Sequence, residues 1–159
     1  MTGVPRAGSI AAALLALLIA ACGAAHKGDV APGAVSAQAH ALVRQTLAAL
    51  RPTIGTPATA PYRDTWTRCG AEAPGQHRFR YVYGVVLTLP RARAQALVAA
   101  ADALFTARGY TLNYSDAPTL RTTATLPHSS FVLGVGVRSA TTTVLEFNAP
   151  CAPTRPDPA

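Results

Sequence analysis

The stretch Arg78–Leu89 (RFRYVYGVVLTL) restricts what this chain can fold into more than any other segment. Its odd positions, Phe79, Tyr81, Tyr83, Val85, Leu87 and Leu89, are all apolar. In a strand, side chains two apart share a face, so one whole face here must be covered. The even positions begin with Arg78 and Arg80 and continue Val82, Gly84, Val86 and Thr88. The first half is therefore amphipathic, and the second half reads as buried on both sides. Pro90 follows, and proline is tolerated in a first helical turn. Ala94, Leu97, Val98, Ala101, Leu104 and Phe105 then recur at helical spacing as far as Arg108. Gly109 supplies a left-handed stop. A one-faced strand running straight into a one-faced helix predicts helix packed on sheet.

The flanking segments extend that plan. Upstream, Ser36 is a candidate N-cap for a helix to about Leu50, with Leu42, Val43, Leu47 and Leu50 on one stripe and Pro52 as its stop. Thr53 to Pro61 reads as a loop and Thr65–Cys69 as a short extended piece, with Trp66 packed near Cys69. Downstream the period becomes two. Tyr110–Tyr114, Leu120–Leu126, Phe131–Arg138 and Thr142–Asn148 read as strands, the last two joined as a hairpin through Ser139-Ala140. The expected class is α+β: a mostly antiparallel sheet of about four to five strands, two helices on one face and one disulfide.

The N-terminus reads as an address. A short polar start with Arg6 precedes Ile10–Ala21, an apolar run without a polar side chain, and small residues follow. That is the build of a secretory signal, and the run is well short of the roughly 20 residues a membrane span needs. Ile19-Ala20-Ala21-Cys22 resembles the lipobox of bacterial lipoproteins. The resemblance implies that Cys22 takes a diacylglyceryl thioether, palmitate-type chains included, and becomes the first mature residue. Two acyl chains hold a protein on a membrane where one gives only marginal, reversible binding. Ordinary cleavage after Ala25, with Cys22 discarded, is the competing reading. The domain plan is then a signal over 1–21, a lipid-anchored flexible tether over 22–35, one α+β domain over 36–151 and a disordered proline-rich tail over 152–159.

With Cys22 lipidated, Cys69 and Cys151 remain as an even pair in an oxidising compartment, where a disulfide is the default. A two-ligand metal site is the competing reading, but no histidine stands at zinc-site spacing from either. Formal net charge is +7, and 13 of the 14 basic residues are arginine. For an exported chain the anionic partners would be lipid head groups or acidic wall polymers, with no nucleic acid.

Four motifs together, Trp66-Thr67-Arg68-Cys69, the strand from Arg78, Arg108-Gly109-Tyr110 and Ala149-Pro150-Cys151, resemble a group of small actinobacterial secreted lipoproteins of unassigned function. That resemblance implies a cysteine-stapled α+β domain and brings no active residues with it.

Catalytic signatures are weak. There is no Gly-x-Ser-x-Gly elbow. His128-Ser129-Ser130 reads as a polar turn, and Glu146 points away from the face of Leu145 and Phe147, as a solvated or arginine-paired carboxylate. Gly134 and Gly136 alternate within a strand, which suits close packing or a bend more than a nucleotide loop. His26, His40, His77 and His128 are scattered, so neither a metal nor another cofactor is expected. Arg78, Arg80 and Arg138 all point away from the apolar faces of their strands, which would place three guanidiniums on the open side of one sheet as an anion-binding cluster; solvated arginines that keep an edge soluble are the competing reading. The expectation is a cell-membrane lipoprotein facing away from the cytoplasm and acting as a non-catalytic binding or interaction module. Its partner would be an anionic lipid, a wall polymer or a membrane protein. The alternative is an enzyme acting on envelope lipid or wall polymer.

Overall fold

A computed structural model describes residues 30–70, 78–116, 119–154 and 157–158. The signal segment and Cys22 lie outside them. The chain folds as α1 (Pro32–Ile54), β1 (Ala58–Arg68), β2 (Arg78–Thr88), α2 (Arg91–Ala107), β3 (Thr111–Asp116), β4 (Arg121–Thr125), β5 (Val132–Val137), β6 (Thr142–Asn148) and β7 (Ala152–Pro153). The sheet runs β1-β2-β6-β5-β4-β3, and β7 pairs with β2 beyond the end of β6. Every pairing between named strands is antiparallel. β2 and β3 therefore point the same way, and α2 carries the chain between them across three intervening strands.

Both helices pack on one face. α1 lies against β2 and β6, and α2 lies against β3, β4 and β5. The core between the layers holds Val43, Leu50, Leu97, Ala101 and Phe105 from the helices with Tyr81, Leu87, Leu133, Leu145 and Phe147 from the sheet. The odd face of β2 is thus the covered one, as its alternation demands. The α+β class, the helices on a single face and the Cys69–Cys151 bridge match the expectation. The sheet is larger than foreseen, with seven strands among the described residues.

Three boundaries differ for physical reasons. α1 starts at Pro32 in the first-turn position, while Ser36 spends its hydroxyl on Gly33 O (3.1 Å) inside the helix. The tether reading over 22–35 is therefore too long. Pro52 does not stop α1 either: Ile54 is buried to 2 % exposure, its carbonyl accepts from Arg93 Nη1 (3.0 Å), and Gly55 at φ 70° closes the end. Those contacts offset the donor that proline removes. Lastly, the tail is not wholly disordered. Ala152 pairs with Phe79, Val30 donates to Pro153 O (2.8 Å) and bridges Thr154, and Thr154 is 1 % exposed.

The two outer strands are irregular. β1 shifts register between Pro61 and Arg63, and β3 between Leu112 and Tyr114. The segment read as a loop over Thr53–Pro61 supplies the first part of β1. Its Thr, Pro and Ala composition hides a strand whose side chains are mostly exposed.

Candidate functional site

The sheet face opposite the helices carries the even positions of β2, β5 and β6 and the odd positions of β4. Three glycines remove side chains from it. Gly134 stands opposite Glu146, and Glu146 stands opposite Gly84, so Glu146 has a glycine on each flank, with the Tyr62 ring lying over Gly84 (3.3 Å from where a Cβ would stand). Gly136 stands opposite Arg121, and a Cβ there would meet Arg121 Cγ at 3.6 Å, so the arginine stem lies across the glycine. Gly134 has a steric reason as well: a Cβ would meet the Thr123 methyl at 2.8 Å and Thr122 O at 3.2 Å.

The result is a groove of about 310 Å³, with Arg121 and Thr123 along one side, Glu146 and Asn148 along the other, and Arg138 at one end. That volume lies at the lower end of the range for small-ligand sites, roughly 300–1,000 Å³. Arg138 is a diagonal neighbour of Arg121 on the same face, a relation that puts residues about 7–8 Å apart. Glu146 accepts from Asn148 Nδ2 (2.9 Å). Among the described residues no arginine lies within ion-pair distance of Glu146, and the Arg138 guanidinium makes no hydrogen bond or ion pair. The arginine-paired reading of Glu146 is not what the geometry gives.

Arg121 is held by an aromatic neighbour. Its guanidinium carbon lies 5.7 Å from the Tyr114 ring centroid, within cation–π reach. Tyr114 in turn donates its hydroxyl to Asp116 Oδ2 (2.6 Å), which also accepts from Thr119 Oγ1 (2.8 Å). The Tyr114 bond, then the Thr119 bond, holds the Asp116 carboxyl below its usual range. Asp116 is paired in register with Arg121 and keeps its negative charge there, although its hydrogen bonds come from two hydroxyls.

Arg78, Arg80 and Arg138 do share the open face, but they do not form one cluster. Arg138 sits beside Thr142, which stands opposite Thr88 at one end of β2. Arg80 is eight residues away along that strand, roughly 26 Å at strand rise. Arg78 donates through Nη2 to Cys151 O (2.8 Å) at the disulfide end. Only Arg138 belongs to the groove, and its partner there is Arg121. Sequence reasoning passed over Arg121 because its Thr-rich strand was not read by parity. Arg121, Thr123 and Thr125 alternate with Thr122, Ala124 and Leu126, and that alternation was the available signal.

A second polar cluster lies on the helix face at the β1 edge. His40 Nε2 on α1 is 3.1 Å from Tyr81 Oη and 3.1 Å from Asp64 Oδ2, and Tyr81 donates to Asp64 Oδ1. The His40 ring stacks on Tyr83 with centroids 3.9 Å apart. Burial, then the Asp64 bond and the Asp64 charge, push the Tyr81 hydroxyl far above its ordinary value of 10.0. A tyrosine whose proton is held more tightly when folded stabilises the fold fully below pH 10, and that stabilisation fades as pH rises beyond it. Urea unfolding free energy should therefore fall above about pH 10. Tyr81→Phe should flatten that fall, and an identical slope in the variant would refute the role given to Tyr81.

His128-Ser129 is a turn, as its composition suggests: Ser129 Oγ donates to Leu126 O (3.4 Å) and accepts from Phe131 N (3.3 Å). Among the described residues no group of three or more His, Cys, Asp or Glu is placed to hold a metal. No protein-family model, curated protein or solved structure matches the chain.

Proposed function

We propose that this chain is an exported lipoprotein, anchored through Cys22 on the extracytoplasmic side of the cell membrane, and that it works as a non-catalytic binding module. The observation that carries the binding half is the glycine-floored groove on the open face, lined by two arginines and a carboxylate that make no ion pair among the described residues. The anchoring half rests on Ile19-Ala20-Ala21-Cys22 behind an apolar run. A disulfide within the domain supports it, since such bonds persist in oxidising compartments. No helix among the described residues is long and apolar enough to cross a membrane.

The anchor has a direct test. Cys22→Ser should move the protein from the detergent phase to the aqueous phase, and the wild-type N-terminal peptide should carry acyl mass. Unchanged partitioning, with no acyl mass, removes the lipoprotein reading. Crosslinking in intact cells then identifies whether the bound species is lipid, wall polymer or membrane protein. The enzymatic alternative is favoured by one observation, the contact of His40 with both Asp64 and Tyr81. Envelope-degrading activity lost on His40→Ala with the fold intact would turn the reading to an enzyme.

A further inference from the structure

We infer that the groove on the open sheet face takes a phosphate ester of a small polyol, of the glycerol phosphate kind. This rests on the reading of that face as a binding site, though not on the anchor.

The argument begins with the two arginines. Arg121 and Arg138 are diagonal neighbours lining one groove, so their guanidiniums repel each other, and an anion held between them would turn that repulsion into attraction. Nearby acids relieve this only in part: Asp116, cross-strand from Arg121, and Glu146 keep their charge, but their bonds go to Tyr114, Thr119 and Asn148 and neither makes an ion pair with an arginine among the described residues. Each guanidinium offers planar, paired N–H donors that match phosphate oxygens. Arg121 is also pre-positioned, its stem lying across Gly136 and its head beside the Tyr114 ring. Ordering a long side chain before binding lowers what association must spend on immobilising it.

Glu146 sets the other end of the ligand. It lies two strands across and two residues along from Arg121, about 12 Å between Cα atoms at ordinary sheet spacing. In a groove of about 310 Å³, that spacing suits a small phosphorylated polyol. An ionised carboxylate only accepts hydrogen bonds, so this end takes hydroxyl donors and repels a second phosphate. Asn148 and Thr123 border the same groove with groups that serve hydroxyls as donor or acceptor. Gly134 and Gly84 put no side chain of their own beside Glu146, while the Tyr62 ring lies over Gly84 and the Thr123 methyl over Gly134. A bare anion would leave this half unused, and a neutral polyol would leave the paired guanidinium donors without a matching oxyanion.

Glycerol phosphate units occur in lipid head groups and in polymers alike, and the test separates the two. The full chain is placed in phosphatidylcholine nanodiscs and titrated with glycerol 3-phosphate, with glycerol and with inorganic phosphate, reading the backbone amide shifts of Gly134 and Gly136. The same titration is run on the soluble Cys22→Ser chain, so that failure of the anchor does not obscure the groove. Glycerol 3-phosphate should saturate and bind tighter than either part. Arg121→Gln with Arg138→Gln should weaken it about tenfold or more, while Arg78→Gln with Arg80→Gln, an equal change in charge, should cost less than about twofold. Amide shifts on going to phosphatidylglycerol nanodiscs would assign the ligand to a lipid, and binding of soluble glycerol 3-phosphate without them would assign it to a free or polymeric ester. Equal weakening by the two arginine pairs would overturn the proposal, leaving only net charge. Saturation by glycerol alone would overturn the phosphate assignment while leaving the face a binding site. No binding of any probe would remove both.

Discussion

Cys69→Ser with Cys151→Ser is expected to lower the unfolding free energy by about 4 kcal/mol, as far as chain entropy governs the effect. The bridge spans a sequence separation of 82, and closing a loop of that size removes much of the unfolded chain's freedom. Its position adds to the expectation. Cys69 follows β1, whose last residue Arg68 stands opposite Phe79, and Cys151 precedes β7, where Ala152 pairs with the same Phe79. The covalent link therefore joins the neighbours on the two sides of β2. Without it the two-residue β7 has little to hold it, and the Val30–Pro153 bond would loosen with it. Urea unfolding of the oxidised wild type, the reduced wild type and the double variant measures this. The last two should agree, and a loss below about 1 kcal/mol in both would mean that the unfolded chain is already compact near these cysteines.

Phe147→Ala is the other change with a large expected effect, a loss of about 3–5 kcal/mol. Phe147 is fully buried in the interior strand β6, paired with Tyr83 on one side and Leu133 on the other, and its ring tilts against Phe131 at 5.2 Å. Removing the ring deletes apolar burial and leaves a cavity that neighbours in two flanking strands are poorly placed to fill. Leu112→Ala serves as the comparison, since Leu112 is 40 % exposed on outer strand β3. It should cost less than about 1 kcal/mol. Chemical denaturation of both variants gives the contrast, and comparable losses would mean that the core is not centred where the packing puts it.

The parts of this fold that were legible are those in which one periodicity governs a long segment. β2 and α2 announce themselves because a strand and a helix with single apolar faces have few alternatives. β6 was read with its observed ends, Thr142 and Asn148, because Val144, Leu145 and Phe147 stand between turn residues. β1 was half missed because an outer strand with an exposed pattern has no alternation to display. The groove was harder still. Its arginines come from β4 and from the end of β5, and nothing local reveals that Arg121 stands opposite Gly136, because register is a property of pairing. The same limit put Arg78, Arg80 and Arg138 in one cluster: parity gives the face, but only register gives the distance along it. His40, Asp64 and Tyr81 meet from three elements, so no spacing within the chain could announce them.

The irregular outer strands have a consequence for self-association. A row of free backbone groups at the rim of a sheet is a template on which a second chain can add a strand, the first step towards fibres. Here both rims are interrupted. Pro61 has no N–H to offer and is followed by a register break, and β3 is broken in the same manner after Leu112. A bulge bends its strand and steepens the local twist, so an incoming straight segment loses its ladder within a few residues. Copies of this domain brought to high local concentration can thus stand side by side without polymerising rim to rim.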